Sequence, residues 1–406
     1  MMSTRRTVLL IGTLDTKEAE LVYVRGLIEA RGHNVVLMDA GILRDPETMP
    51  EVTAREVAEA GGSSLEALRK KGDRGSAIDV MIAGVRKLAR ELFDAGRVHG
   101  VLALGGGGGT SIATAAMREL PVGVPKLMVS TLASGNTRPY VGETDITMMY
   151  SVVDIAGLNR LSRRILANAA GALCGMLEQE VPPAEDHPIV AATMFGVTTP
   201  CVDRVRARLE EAGYEPLVFH ATGTGGRAME KLIDAGFVVA VADMTTTEWC
   251  DEVVGGVLSA GPDRLSAAGR AGIPQVVSCG ALDMVNFGAA DTVPEQFRDR
   301  NLYRHNPMVT LMRTTPAECA EIARRIAEKL NAARGPTVLM LPLRGVSALD
   351  KEGGAFHDPE ANAALFAALR EHVRPPVEIV EVDAHINDPQ FADAAVDRLL
   401  ELLGRS

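Results

Sequence analysis

Aromatic residues are scarce: Phe, Trp and Tyr make up 4% of the 406 residues. That disfavours a sandwich or a barrel, whose strands lean on aromatic and β-branched pairs. Cysteine is scarce as well. Cys174, Cys201, Cys250, Cys279 and Cys319 are odd in number and at least 27 positions apart. With no C-x-x-C, they suit neither a disulfide framework nor a structural zinc site. Positive charge is in deficit, 42 Lys plus Arg against 53 Asp plus Glu, a net charge of −11. Nucleic acid is thereby excluded as an expected partner, because binding it needs a basic surface. No apolar run reaches the ~18–20 residues of a membrane span. The opening Met1-Met2-Ser3-Thr4-Arg5-Arg6 leads straight into a short strand, without the apolar core or small-residue cleavage site of a signal peptide. The expectation is a cytoplasmic, reduced protein away from membranes.

What is present is glycine, 40 residues, and a hydrophobic share of 47%. That share builds a core and excludes global disorder. Aliphatic strands joined by glycine-rich turns suit a parallel α/β protein. At about 150 residues per domain, the length predicts two or three domains. The pattern reads as strand 7–11, helix 16–30 and strand 34–39, then a polar, acidic stretch at 45–76. Helix 77–95, strand 98–104, helix 110–120 and strand 125–130 follow, then a polar loop at 131–150 and a helix at 157–178. Asp15 and Glu18 read as a D-x-x-E variant of the capping box. Pro182, Pro183 and Pro188 break the pattern. Strands then restart at 189–193, 216–220, 238–242, 275–278, 337–341 and 377–382, and a last helix covers 393–403. The fold class is therefore α/β, two Rossmann-like doubly wound domains with mainly parallel sheets. The first spans 1–180 with an insertion at 45–76, and the second spans 188–406. Matching G-x-P turns before strands, Gly123-Val124-Pro125 and Gly272-Ile273-Pro274, suggest related halves. Shared α/β turn chemistry accounts for them equally well.

Gly105, Gly106, Gly107, Gly108 and Gly109 follow an apolar strand and open a helix at Thr110-Ser111. Without side chains, the backbone N–H groups approach an anion, and the helix start adds partial positive charge. This predicts phosphate binding, although the run is neither a P-loop nor G-x-G-x-x-G. Gly12-Thr13-Leu14-Asp15-Thr16-Lys17 is a second strand-to-helix turn. Lys17 suits a phosphate, and Asp15 or Thr16 suits magnesium, which takes oxygen ligands. A helix cap with a solvated lysine is the plainer alternative. Asp39 ends the second strand, where α/β folds often place a ribose-binding carboxylate. Ser134, Gly135 and Asn136 lie in the long loop after the next predicted strand, at a ligand-prone sheet edge.

Residues 12–18 (GTLDTKE), 38–42 (MDAGI), the five-glycine turn and 130–159 (STLASGNTRPYVGETDITMMYSVVDIAGLN) together resemble the Tm-1-like ATP-binding family. The resemblance runs over about residues 5–403. It implies two Rossmann-like subdomains, ATP in the first and a homodimer, with magnesium expected beside the ATP. The family's partner binding keeps open a nucleotide-regulated interaction module without turnover.

The second half carries acids, histidines and arginines after predicted strands. His305, His357 and His220 are ranked for acid/base roles, with Asp283 or Asp243 orienting one of them. Arg304 and Arg344 are assigned to a small anionic metabolite, and the leading expectation is an enzyme that acts on it with ATP as cosubstrate or regulator, an ATP-dependent transferase or a hydrolase or lyase. Surface histidines are the bland alternative. Gly223, Gly225 and Ala228 also match G-x-G-x-x-A, with Asp243 about twenty residues on, a weak fingerprint for an NAD-dependent oxidoreductase.

Overall fold

Residues 7–11 form a central strand because they are apolar on both faces. Val8 and Leu10 enter one hydrophobic core, and Leu9 and Ile11 enter another on the opposite side of the sheet. Each such leucine gains roughly 1.5–3 kcal/mol on burial, which favours a strand clad by helices on both faces. The computed structural model describes residues 5–183 and 185–404. Met1–Thr4, read above against a leader peptide, lie outside the described residues, as do Ala184 of the proline-rich segment and Arg405 and Ser406 at the end of the second domain. The chain divides into two units, Met1–Pro183 and Ala184–Ser406.

The first unit runs β1 (Thr7–Gly12), α1 (Leu14–Ala30), β2 (Asn34–Asp39), α2 (Ala54–Ala60), α3 (Leu65–Lys71) and α4 (Arg74–Asp94). It continues β3 (Gly100–Gly105), α5 (Gly107–Arg118), β4 (Lys126–Ser130), α6 (Arg138–Val141), β5 (Thr147–Tyr150) and α7 (Arg160–Glu178). Its sheet has the order β2-β1-β3-β4-β5, and every pairing is parallel. The polar stretch at 45–76 is not an unstructured insertion. It folds into α2, started by a capping box between Thr53 and Glu56, and α3, capped by Ser64. The predicted loop 131–150 likewise ends in an edge strand, β5. The apolar residues of α7 are largely spent on the core: Leu166, Ala169, Ala170, Leu173 and Cys174 are buried there.

The second unit runs β6 (Ile189–Met194), α8 (Thr199–Glu211), β7 (Glu215–His220), α9 (Thr224–Asp234), β8 (Val238–Thr245), α10 (Glu248–Val254), α11 (Ala267–Ala271) and β9 (Gln275–Gly280). It continues β10 (Met284–Phe287), β11 (Leu302–Asn306), β12 (Val309–Arg313), α12 (Pro316–Asn331), β13 (Thr337–Pro342), α13 (Pro359–His372), β14 (Glu378–Val382) and α14 (Pro389–Gly404). All six strands expected here are present, in a parallel sheet of order β14-β13-β9-β8-β6-β7. Read from its β7 edge, this is the first unit's order with one strand added. A three-stranded antiparallel sheet, β10-β12-β11, was not expected. The α/β class with mainly parallel sheets holds for both units. Among the described residues, no helix is long and apolar enough to cross a membrane.

Candidate functional site

In a parallel sheet the strand ends all open on one edge, and a crevice forms where the strand order reverses. In the first unit that point lies between β1 and β3, because β2 was added on one side and β3 and β4 on the other. A cavity of about 530 Å³ opens there. Thr13, Asp15, Thr16 and Lys17 line it after β1, Ala40, Ile42 and Leu43 after β2, and Gly106, Gly107, Gly108 and Gly109 after β3. Its remaining wall is Leu68, Arg69, Gly72, Asp73, Arg74, Ala77 and Ile78, from α3 to the start of α4, with Ile112 of α5.

Three helices begin at this cavity. The start of α5 has no side-chain cap and keeps backbone N–H groups to offer, whereas in α1 the Leu14 N–H goes to Asp39 and those of Thr16 and Lys17 go to the Thr13 carbonyl. In α4, Asp73 Oδ1 accepts from the N–H groups of Gly75 and Ser76. The glycine turn is tight at its base: a Cβ on Gly105 would lie 2.8 Å from the carbonyl carbon of Gly109. Gly107 is open, with only a Leu132 methyl 4.0 Å from where its Cβ would stand. A side chain there would project without hindrance from the protein.

Asp15 is buried at the rim of α1. Its Oδ2 accepts from the N–H groups of Ile42 and Leu43, each at 2.8 Å, which ties the loop after β2 to α1. Its Oδ1 is buried without a partner. The expected capping box does not form, because Thr13 is the N-cap and Glu18 accepts from Thr48 N instead. Asp39 also braces the loops: Oδ1 accepts from Leu14 N at 2.9 Å and Gly41 N at 2.8 Å. Burial pushes its carboxyl up to about 6, against the lowering by those two N–H groups.

The cavity's cations differ in what they already hold. Lys17 Nζ donates to the Ile155 carbonyl at 2.7 Å. Arg69 donates to the Ile42 carbonyl and pairs with Asp45 at 2.8 Å. One guanidinium nitrogen of Arg74 lies 3.7 Å from where a Cβ on Gly108 would stand.

Several expected residues stand apart from the cavity wall. Gly12 is small for packing, since a Cβ would lie 2.6 Å from a Leu21 methyl. The Thr110 hydroxyl is buried and shares a 2.7 Å hydrogen bond with Ser130. Ser134, Gly135 and Asn136 are exposed on a turn, where Gly135 N donates to the Leu132 carbonyl and Asn136 Oδ1 accepts from Arg138 N. Arg69, Arg74 and the apolar wall of α3 and α4 were not among the expected site residues. The basic Lys70-Lys71 and the glycine at Gly72 were the available signal.

In the second unit, His220 ends the edge strand β7, its ring centroid 5.4 Å from that of Phe195 and tilted 44° to it. His305 and Arg304 are exposed on β11, and His357 is exposed before α13. Among the described residues, no hydrogen bond or ring contact joins the three histidines. Arg344 is already paired on the surface with Asp383 at 2.7 Å. The structure instead gathers buried groups. Asp243 is held by both terminal nitrogens of Arg264, at 2.5 and 2.7 Å. Glu248 takes the Arg264 Nε at 2.6 Å, and its Oε1 accepts from Gly223 N and Gly226 N. The glycine turn matching G-x-G-x-x-A therefore already holds a carboxylate, and the acid meant for a ribose is bound to arginine. Asp283 Oδ2 accepts from Ser347 Oγ at 2.7 Å, while Asp283 Oδ1 and Asp350 Oδ1 are buried without hydrogen-bond partners. Arg313 stands 3.9 Å from Asp350 Oδ1. No cluster of three metal-binding side chains occurs among the described residues.

Residues 6–182 match the N-terminal domain of the uncharacterised protein family UPF0261, and residues 187–403 match its C-terminal domain. A UPF0261 protein of Clostridium tetani is 54% identical over 400 residues, which cover 98% of this chain and 99% of its own. One from Rhizobium meliloti is 53% identical over 393 residues, 96% of this chain and 98% of its own. The ToMV resistance protein Tm-1(GCR237) of Solanum lycopersicum is 46% identical over 343 residues, 82% of this chain and 45% of its own length.

Proposed function

The chain belongs to the UPF0261 family, to which Tm-1 of tomato is similar, and on that premise we propose that its first unit binds ATP with magnesium at the β1–β3 crevice. One observation carries the reading: the starts of α1, α4 and α5 meet at a single cavity with Lys17, Arg69 and Arg74. The uncapped start of α5 contributes about half a positive charge, and the glycine turn lets phosphate oxygens approach backbone N–H groups. The apolar wall of Leu68, Ala77, Ile78 and Ile112 suits a base. The residues also fit magnesium. Asp15 Oδ1 lacks a partner, and Thr13 and Thr16, whose hydroxyls share a 2.9 Å hydrogen bond, line the same cavity, so these are the oxygen donors that would hold the ion. An ion that keeps several waters and bridges phosphates needs no more from the protein. Bound there, it would neutralise phosphate charge.

Titration calorimetry with ATP and magnesium tests the site. Gly107→Val puts a branched side chain into the open space above the turn, and ATP affinity is expected to fall about tenfold or more. Unchanged affinity in the variant would remove the glycine turn from the site. No binding by the parent protein would end the nucleotide reading. Among the described residues, no hydrogen bond or ring contact joins the second unit's three histidines, and the function proposed is nucleotide binding.

A further inference from the structure

We propose that Arg74 is the residue by which this site discriminates among nucleotides by phosphate number, a role that rests on the nucleotide reading above. Arg74 is the first residue of α4, a helix of 21 residues. A cation at that end opposes the helix dipole. It also faces the start of α5, with a guanidinium nitrogen 3.7 Å from the Cβ position of Gly108. Its positive charge thus stands between the Asp73-capped start of α4 and the uncapped start of α5.

Among the described residues, no protein carboxylate pairs with the Arg74 guanidinium, which has no hydrogen bond either, whereas Arg69 is paired with Asp45 and Lys17 is bound to the Ile155 carbonyl. The neighbouring Asp73 is committed to the N–H groups of Gly75 and Ser76. Asp15, more than nine-tenths buried in the same cavity, has both an unpartnered Oδ1 and an Oδ2 committed to two N–H groups. The arrangement lacks an anion on one side and a cation on the other, and a magnesium-bound phosphate chain supplies both. A guanidinium fork matches two oxygens of one phosphoryl group. Each added phosphate raises the charge within its reach.

Calorimetry with ATP, ADP and AMP on the full chain, all with magnesium, reads this directly. The parent is expected to bind in the order ATP, ADP, AMP. Arg74→Ala should weaken ATP about tenfold and AMP by less than about twofold, and Arg74→Lys should fall between. Arg74 is exposed and the Asp73 cap remains, and losing a cation from a helix start is not destabilising, so the thermal melt of neither variant should fall below the parent's. An ATP-to-AMP affinity ratio in Arg74→Ala within about twofold of the parent's overturns the role of Arg74 and leaves the site standing. A parent that binds none of the three overturns the site and this role together.

Discussion

Asp283 is an ordinary carboxylate held in an unusual state. It sits wholly buried past β9, with one oxygen bound to Ser347 and the other unpartnered. Burial and the nearby Asp350 push its carboxyl up to about 7, while Arg313 opposes them. A folded-state value above the unfolded one stabilises the protein at low pH, and that contribution is lost as pH rises through about 7. Asp283→Asn keeps the shape and removes the proton. The variant should therefore gain on the parent between pH 5 and pH 8, by on the order of 1–2 kcal/mol. Chemical denaturation at both values checks it, and a constant difference between the two proteins would refute it. At this scale the sequence was partly legible. Five glycines between a strand and a helix announce backbone exposure whatever the context, and Lys17 and Asp15 follow a similar turn. Arg74 was not legible, since an arginine in a basic, exposed stretch looks solvated until its distance to another helix start is known. His305, His357 and His220 were grouped as if they followed strands of one parallel sheet, but only His220 does: His305 lies on β11 of the antiparallel sheet and His357 precedes α13.

At the scale of elements, the cavity's outer wall is the least predictable part. α2 and α3 are seven residues each, too short to display a helical period, and they gain their stability from caps and packing. Two glycines seat that wall. A Cβ on Gly84 of α4 would lie 1.9 Å from the Val57 carbonyl oxygen, and one on Gly61 would lie 2.1 Å from that of Val80. Backbone faces backbone at both points, so no side-chain rotation can make room. Gly84→Ala should push α2 off α4, cost about 1–3 kcal/mol as overpacking does, and weaken ATP binding by displacing α3. Denaturant melts and calorimetry on that variant measure both effects, and an unshifted melt would contradict the backbone contact. Strands β10 to β12 escaped notice because short antiparallel strands within an α/β pattern resemble connecting loops. The six parallel strands beside them were legible because each is a continuous apolar run.

At the scale of the molecule, each unit closes its own hydrophobic cores. The clusters of the first unit draw only on residues up to Leu177, and those of the second only on residues from Ile189 onward. ATP with magnesium should then slow amide exchange in peptides covering 13–17, 40–43, 68–78 and 106–112, and leave peptides of the second unit unchanged. Protection arising in the second unit would show that it shares the ligand. The homodimer expected from family resemblance is checked by light scattering, where a species of 43.1 kDa alone would reject it.

The second unit's glycine turn, with Glu248 bound across it, has the form of a receptor already loaded with its guest. That guest is a carboxylate on a tether, held by Gly223 N, Gly226 N and Arg264. Cutting the tether leaves a carboxylate-shaped vacancy with its donors in place. Glu248→Gly should lose several kcal/mol, as breaking a buried charge pair does. Acetate or formate added from solution should restore part of that stability in proportion to its concentration, while chloride at equal ionic strength should not. Such chemical complementation would make the vacancy an anion receptor that can be opened by one substitution.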